Sequence, residues 1–353
     1  NRSGILTSML GRLKTVVRGV FSNQSGTVQG HRVELLAGEL ANQQGHVAAT
    51  TGDLDLFVAT LNNQGGGLYA QQQLKLTGHE LDNSSHGQIA GQSIDFGLSG
   101  ALNNSSGLIE ADTLQLSSTR LNNRDGRLRA LATTGHSLII SAADLDNRNG
   151  LIEIGNQDFT LDVPGLLNQS GQILHAGSGQ FDLFGGQARP AGGSITSRGQ
   201  VTLTGDQWEN STRFEAAFLT LNVGRFTQTG NGQLIASRSL TATGDSWINH
   251  GLIASDGDLS LNLGSSYSGN GQLVSLGDLK LVAPQLSLDA QGLVYGAGHT
   301  RLQGQQLINQ GVISPAGNLQ IEVQKLTNRG TLGSAGALGI KAADVLNEKG
   351  LIF

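Results

Sequence analysis

The chain has 353 residues, with 52 Gly, 4 Pro and no Cys, 4% aromatic and 14% charged residues, and a formal net charge of -5. Gly without a three-residue period excludes collagen, and the aliphatic content is too high and too periodic for a disordered linker. Lys and Arg form no cluster suited to nucleic acid or an anionic membrane, no disulfide framework exists without Cys, and no apolar run is long enough to span a bilayer.

The chain opens on Asn1 rather than Met, which reads as a fragment or a processed chain. The apolar run in residues 5–20 is short and broken by Arg12, Lys14 and Arg18, so it is not a signal peptide. A short motif then returns along the sequence: a large apolar residue, Asn two later, Gly three after that, and Ile, Leu or Val two further on. It stands at Phe21/Asn23/Gly26/Val28, Leu40/Asn42/Gly45/Val47, Leu61/Asn63/Gly66/Leu68 and Leu102/Asn104/Gly107/Ile109. It recurs at Leu121/Asn123/Gly126/Leu128, Leu145/Asn147/Gly150/Ile152 and Leu166/Asn168/Gly171/Ile173, and the copy at Leu81/Asn83/Gly87/Ile89 carries one extra residue. The next slots hold Pro190, Asn210, Gln228, Asn249, Gly269, Ala290, Asn309, Asn328 and Asn347. The mean period is about 20 residues, in the range of a solenoid.

About ten residues after each Asn comes a second signal, an apolar-polar-apolar triplet such as Val33-Glu34-Leu35, Leu54-Asp55-Leu56, Leu114-Gln115-Leu116 or Leu259-Ser260-Leu261. Alternation with period two belongs to a half-buried strand, so one period reads as strand, turn, strand, turn. A unit this small buries its apolar face only by stacking on its neighbours. The expected fold is all-β, a right-handed parallel β-helix of about 18 coils, making a rod of about 80 Å.

The repeated Asn is expected to be a structural ladder: Asn23, Asn42, Asn63, Asn83, Asn104, Asn123, Asn147, Asn168, Asn210, Asn249, Asn309, Asn328 and Asn347, each amide bonding the coils above and below. The following Gly is expected to supply a turn with positive φ. Inward-facing Asn cannot carry sugar, so the Asn-x-Ser/Thr sequons at Asn23, Asn83, Asn104, Asn168 and Asn210 are read as accidents of Ser-rich turns.

The spacing shortens to Asn-x-Gly-x-Ile from Asn210, as in Asn249/Gly251/Ile253 and Asn309/Gly311/Ile313, and returns to the long form at Asn347. In the same zone the leading Leu becomes Trp208, Phe226, Trp247 and Tyr267. Three stretches follow: regular repeats over 1–180, divergent coils over 181–295, and regular, mostly short-form repeats over 296–353. The aromatic run reads first as core stacking. As a second reading, the divergent coils present a recognition surface with Arg189, Trp208, Glu209, Arg213, Trp247 and Tyr267 as candidate receptor contacts.

Chemistry is sparse elsewhere. The eight His read as solvated turn residues without metal spacing. The pairs Asp53/Asp55, Asp144/Asp146 and Asp256/Asp258 fall on distant coils, which weakens a rival reading as a carbohydrate-active β-helix enzyme. Gly65-Gly66-Gly67 lacks the Lys and helix of a phosphate-binding loop. The expectation is a chain with no catalytic residues, no cofactor and no metal.

The Leu-x-Asn-x-x-Gly-x-Ile set resembles the repeats of filamentous-haemagglutinin-like exoproteins of Gram-negative bacteria, which are secreted by two-partner secretion and include the effectors of contact-dependent growth inhibition. The resemblance covers nearly the whole chain and is strongest over 1–175 and about 300–353. It implies an internal stalk segment of a secreted, cell-surface filament, with the array continuing past both ends. It also implies an outer-membrane transporter partner, a target-cell surface receptor of protein or glycan, and either delivery of a C-terminal toxin or, alternatively, adhesion to host cells or matrix. The break in spacing near residue 200 marks the expected start of a receptor-binding region.

Overall fold

A computed structural model describes residues 1–353 and contains parallel β-strands and turns, with one 3₁₀ turn at Phe184–Gly186 and no α-helix. The chain divides into two compact units, Asn1–Gly179 and Gln180–Phe353. Each is a stack of coils with a period of about 20 residues, a parallel β-solenoid.

The coil that opens at Asn104 shows how the first unit is built. After Gly107 the strand Leu108–Ser117 sends Ile109 and Ala111 inward, turns a corner near Asp112, and sends Leu114 and Leu116 inward. A second short strand, Arg120–Asn122, buries Leu121 and leads into the next Asn turn. Every inward residue stacks on its equivalents: Leu128 pairs with Ile109 and Ile152, and Leu121 with Leu102 and Leu145. The pairings are parallel throughout, so each apolar side chain repeats one coil on and the stack forms a continuous core. Each fully buried Leu or Ile contributes about 2 kcal/mol, which no isolated coil could collect.

The sequence reading of two strands per coil is corrected here. Three strand segments surround the core, and the one missed is the segment that carries the leading Leu. It spans only three residues in strands such as Ala101–Asn103, Arg120–Asn122 and Asp144–Asp146, too few for alternation to register.

The second unit uses the same plan with long strands at Gln200–Asn210, Arg213–Gln228, Gln233–Asn249 and Asp258–Gly269. Their pairing extends along most of their length, broken by register shifts between Ala216 and Phe218 and between Gly244 and Ser246. One slot assignment changes: Leu288, not Ala290, pairs with Gly269 on one side and Asn309 on the other, so Leu288 occupies the Asn position of its coil.

Candidate functional site

In the first unit the Asn turns form one hydrogen-bonded column. The Nδ2 of Asn1 donates to Oδ1 of Asn23 at 2.6 Å, and the pattern runs on through Asn42, Asn63, Asn83, Asn104, Asn123, Asn147 and Asn168 at 2.7–2.8 Å. From Asn23 to Asn168 each Nδ2 donates again to the carbonyl of the Gly in its own turn, as Asn42 does to Gly45 at 3.1 Å. Asn23 through Asn168 are fully buried, so both ends of each amide find protein partners in place of water. The sequons at Asn23, Asn83, Asn104, Asn168 and Asn210 therefore hold their side chains inside the solenoid.

The role expected of Gly is corrected. The residue before it takes positive φ: Ser25, Gln44, Ser106, Asp125, Asn149 and Ser170 lie at φ 53 to 58, while Gly26, Gly45, Gly107, Gly126, Gly150 and Gly171 do not. Gly is required by close approach instead. A Cβ on Gly107 would fall inside the van der Waals envelope of the Asn83 carbonyl oxygen, and one on Gly126 would do the same to Asn104. In the shortened turns the missing residue is the left-handed one: His250, Gln310 and Arg329 keep negative φ, and Gly251, Gly311 and Gly330 pack against the Gly carbonyl of the preceding coil.

A second column, unread in the sequence, lies half-buried outside the first. Oδ1 of Asn62, Asp82, Asn103, Asn122 and Asp146 each accepts the backbone N–H two residues on, at 3.0–3.2 Å. Asn122 Nδ2 donates to Asn103 at 2.9 Å and Asn103 Nδ2 to Asp82 at 3.0 Å, the reverse direction to the inner column. The doubled Asn-Asn of the motif was the available signal, each Asn serving a different face of one turn.

In the second unit the inner column changes partners. Asn210 Nδ2 donates to Gln228 Oε1 at 2.9 Å, and Gln228 reaches on to the Leu252 carbonyl at 2.9 Å. Asn249 meets no amide on the next coil, where the slot is Gly269, and donates instead to the Tyr267 hydroxyl at 3.1 Å. Below Leu288 the column resumes from Asn309 to Asn328 to Asn347 at 2.8 Å, and the Asn309 Oδ1 is left without a donor.

The aromatic run lies in the core. Trp208, Trp247 and Tyr267 are 2%, 0% and 3% exposed. Ring centroids are 5.2 Å apart for Trp208 and Phe226 and 4.6 Å for Phe226 and Trp247, and Trp247 Nε1 donates to the Val223 carbonyl at 2.9 Å. These three side chains cannot touch a receptor without unfolding, which corrects that part of the candidate set. Burial also pushes the Tyr267 hydroxyl up to about 12, against the hydrogen bond from Asn249. Arg189 is half-buried over the Phe184 ring at 5.9 Å. Glu209 and Arg213 are exposed, and Arg213 reaches Gln233 at 3.0 Å and Glu215 at 2.6 Å.

The His reading needs one correction. His175 is buried in an inward position, with its Nε2 at 2.9 Å from the Asn156 carbonyl and its ring 6.3 Å from that of Phe159. Burial lowers its pKa, opposed by the Asn156 and Gln157 carbonyls and the Asp158 carboxylate. At least one carboxylate of each Asp pair has a structural partner. Asp53 is bound to Arg32 and accepts from the Gln73 N–H, Asp146 holds Arg148, and Asp258 accepts from the Asp278 N–H at 2.9 Å. The Arg148 guanidinium beside Asp146 holds its carboxyl below the usual range.

The haemagglutinin repeat model matches residues 15–56, 35–97, 93–149, 154–205, 185–213, 216–321 and 316–352, and the chain belongs to that family. It is similar to the tRNA nuclease CdiA of Yersinia mollaretii, 29% identical over 279 residues that cover 75% of this chain and 9% of the relative. It is also similar to the deoxyribonuclease CdiA of Dickeya dadantii, 30% identical over 308 residues covering 85% of this chain and 8% of the relative. The toxin CdiA of Escherichia coli is 29% identical over 279 residues, 73% of this chain and 8% of the relative. The chain thus spans less than a tenth of the length of the curated relatives it matches. No solved structure matches it.

Proposed function

We propose that this chain is a stretch of the extracellular stalk of a secreted contact-dependent growth inhibition exoprotein, and that it carries a target-cell contact surface in its second unit. The observation that supports this reading best is the run of haemagglutinin repeats along the chain, shared with three CdiA proteins. The geometry agrees with a mechanical role. The interior amides serve hydrogen bonds between coils, and the carboxylates cap turns or pair with Arg. The stalk leaves the producing Gram-negative cell through an outer-membrane transporter partner and stands at the cell surface. It binds a receptor on the target cell and holds a C-terminal toxin within reach of it. Nucleic acid and soluble cofactors play no part in this segment's work, and the nuclease activities named for the relatives are theirs.

The contact surface is placed on the divergent coils, with the exposed Glu209 and Arg213 and the half-buried Arg189 on it. The test is binding of the purified chain to whole bacteria and to host epithelial cells, side by side. Binding to bacteria that is lost when residues 206–275 are replaced by regular coils supports the proposal. Binding to epithelial cells alone makes the segment a host adhesin, and binding to neither reduces it to a passive spacer.

A further inference from the structure

The outer face of the second segment changes chemistry from coil to coil. In the first unit, register places Glu34, Asp55, Lys75 and Asp95 in one outward row, a charged and solvated stripe. Lys14, one coil before Glu34, is paired with it at 3.0 Å. In the second unit the row Thr202, Thr220, Thr241 and Ser260 runs across four coils without a charge, before Lys280 and Arg301 follow on the next two. Two residues along each strand lies a second uncharged row, Thr204, Asn222, Thr243 and Asn262. Thr204 donates to the Gly186 carbonyl at 3.0 Å, and Thr243 donates to Asn222 Oδ1 at 2.8 Å. The side chains of Thr202, Thr220, Thr241, Ser260 and Asn262 make no hydrogen bond within the protein and are half-buried or exposed. At the border of the array, two residues before Thr220 on the same strand, Phe218 is 45% exposed.

We infer that this array binds a neutral glycan chain laid along the solenoid axis. Hydroxyl and amide groups recur once per coil, at about 4.8 Å, close to the length of one sugar ring. They act as donor and acceptor at once, which matches the alternating hydroxyls of a saccharide and makes no demand for a charge on the ligand. The exposed Phe218 ring offers an apolar face for the C–H edge of a sugar, the companion that polar sugar sites use to exclude water. A protein partner would be expected to find a larger apolar centre than one Phe, and an anionic glycan would require basic groups, which on this face begin only one coil past Ser260, at Lys280 and Arg301. The Asp206 and Asp245 carboxylates on the next row of the same strands further disfavour an anionic ligand.

The inference goes beyond the receptor-contact reading, whose residues Arg189, Glu209 and Arg213 lie outside these rows, and rests on it for its biological setting. Its test uses the purified chain on immobilised neutral hexose and N-acetylhexosamine oligosaccharides, beside sialylated and sulfated ones. The expected result is retention on the neutral set, weakened at least tenfold in the double variant Thr220→Glu/Thr241→Lys with an unchanged circular dichroism spectrum. The first unit carries charges at equivalent outward positions, so the fold should accept them. The pair Thr220→Val/Thr241→Val, which keeps the branched shape and removes the hydroxyls, should weaken retention as well. Absence of retention on neutral glycans, retention confined to the charged set, or retention indifferent to both double variants would overturn the inference. If the unaltered chain still binds bacteria in any of those cases, the glycan assignment fails while the receptor-contact reading stands.

Discussion

Replacing Asn104 by Leu isolates what the inner amide column contributes. The Asn104 side chain is fully buried, donates to Gly107 O at 3.3 Å, Asn123 Oδ1 at 2.8 Å and Arg127 O at 3.1 Å, and accepts from Asn83 Nδ2 at 2.8 Å. Leu fills a similar volume and removes all four bonds. Asn83 keeps its own bonds to the Gly87 and Leu108 carbonyls, whereas the Asn123 Oδ1 loses its donor. An orphaned buried acceptor costs about 1–3 kcal/mol and each lost hydrogen bond about 1 kcal/mol, so the substitution should cost about 3–4 kcal/mol after the apolar gain of Leu is credited. A natural counterpart exists at Leu288, beneath which Asn309 Oδ1 has no donor. The assay is urea unfolding, combined with hydrogen exchange read on peptides from the coils either side of Asn104, since solenoid stability is local. The outer Asn103→Ala variant serves as the comparison, because water can replace its half-exposed contacts at a cost of about 1 kcal/mol or less. A cost for Asn104→Leu below about 1 kcal/mol, or no greater than that of Asn103→Ala, would refute the view that the column holds the coils together.

Three further outcomes are expected. Gly126→Ala should destabilise the first unit by about 3 kcal/mol, as an overpacking change, while Ser106→Gly should stabilise it by about 0.5 kcal/mol by relieving a left-handed residue; thermal unfolding of the two variants separates the roles. Unfolded His175 titrates near 6.5 and its folded pKa is lower. Its contribution is therefore fully present above that value and falls as pH drops below it, and His175→Ala, matching Ala111 and Ala130 in equivalent coils, should flatten the acid limb of a stability-versus-pH curve. Tyr267→Phe should cost about 1 kcal/mol. In the unaltered chain, ultraviolet titration should find one of the three tyrosines ionising near 12, with Tyr267-linked stability lost only as pH rises from about 10 through that value.

How far the sequence reached is clearest at particular residues. The period, the inward Leu and Ile positions and the Asn column could be read directly, because a solenoid repeats each contact at a constant spacing and the sequence carries that spacing. Tertiary structure decided matters that depend on what lies one coil away. It is the carbonyl of Asn83, twenty-four residues upstream, that forbids a side chain on Gly107. Leu288 rather than Ala290 fills the Asn slot because strand register, not residue type, sets the column. Trp208, Trp247 and Tyr267 are equally plausible as core or surface in one dimension; only the direction of their strand positions, repeated in the parallel pairing of neighbouring coils, sends them inward. The Thr and Asn rows of the second unit are separated by about twenty residues per step, and they become one surface only when parallel pairing sets them side by side.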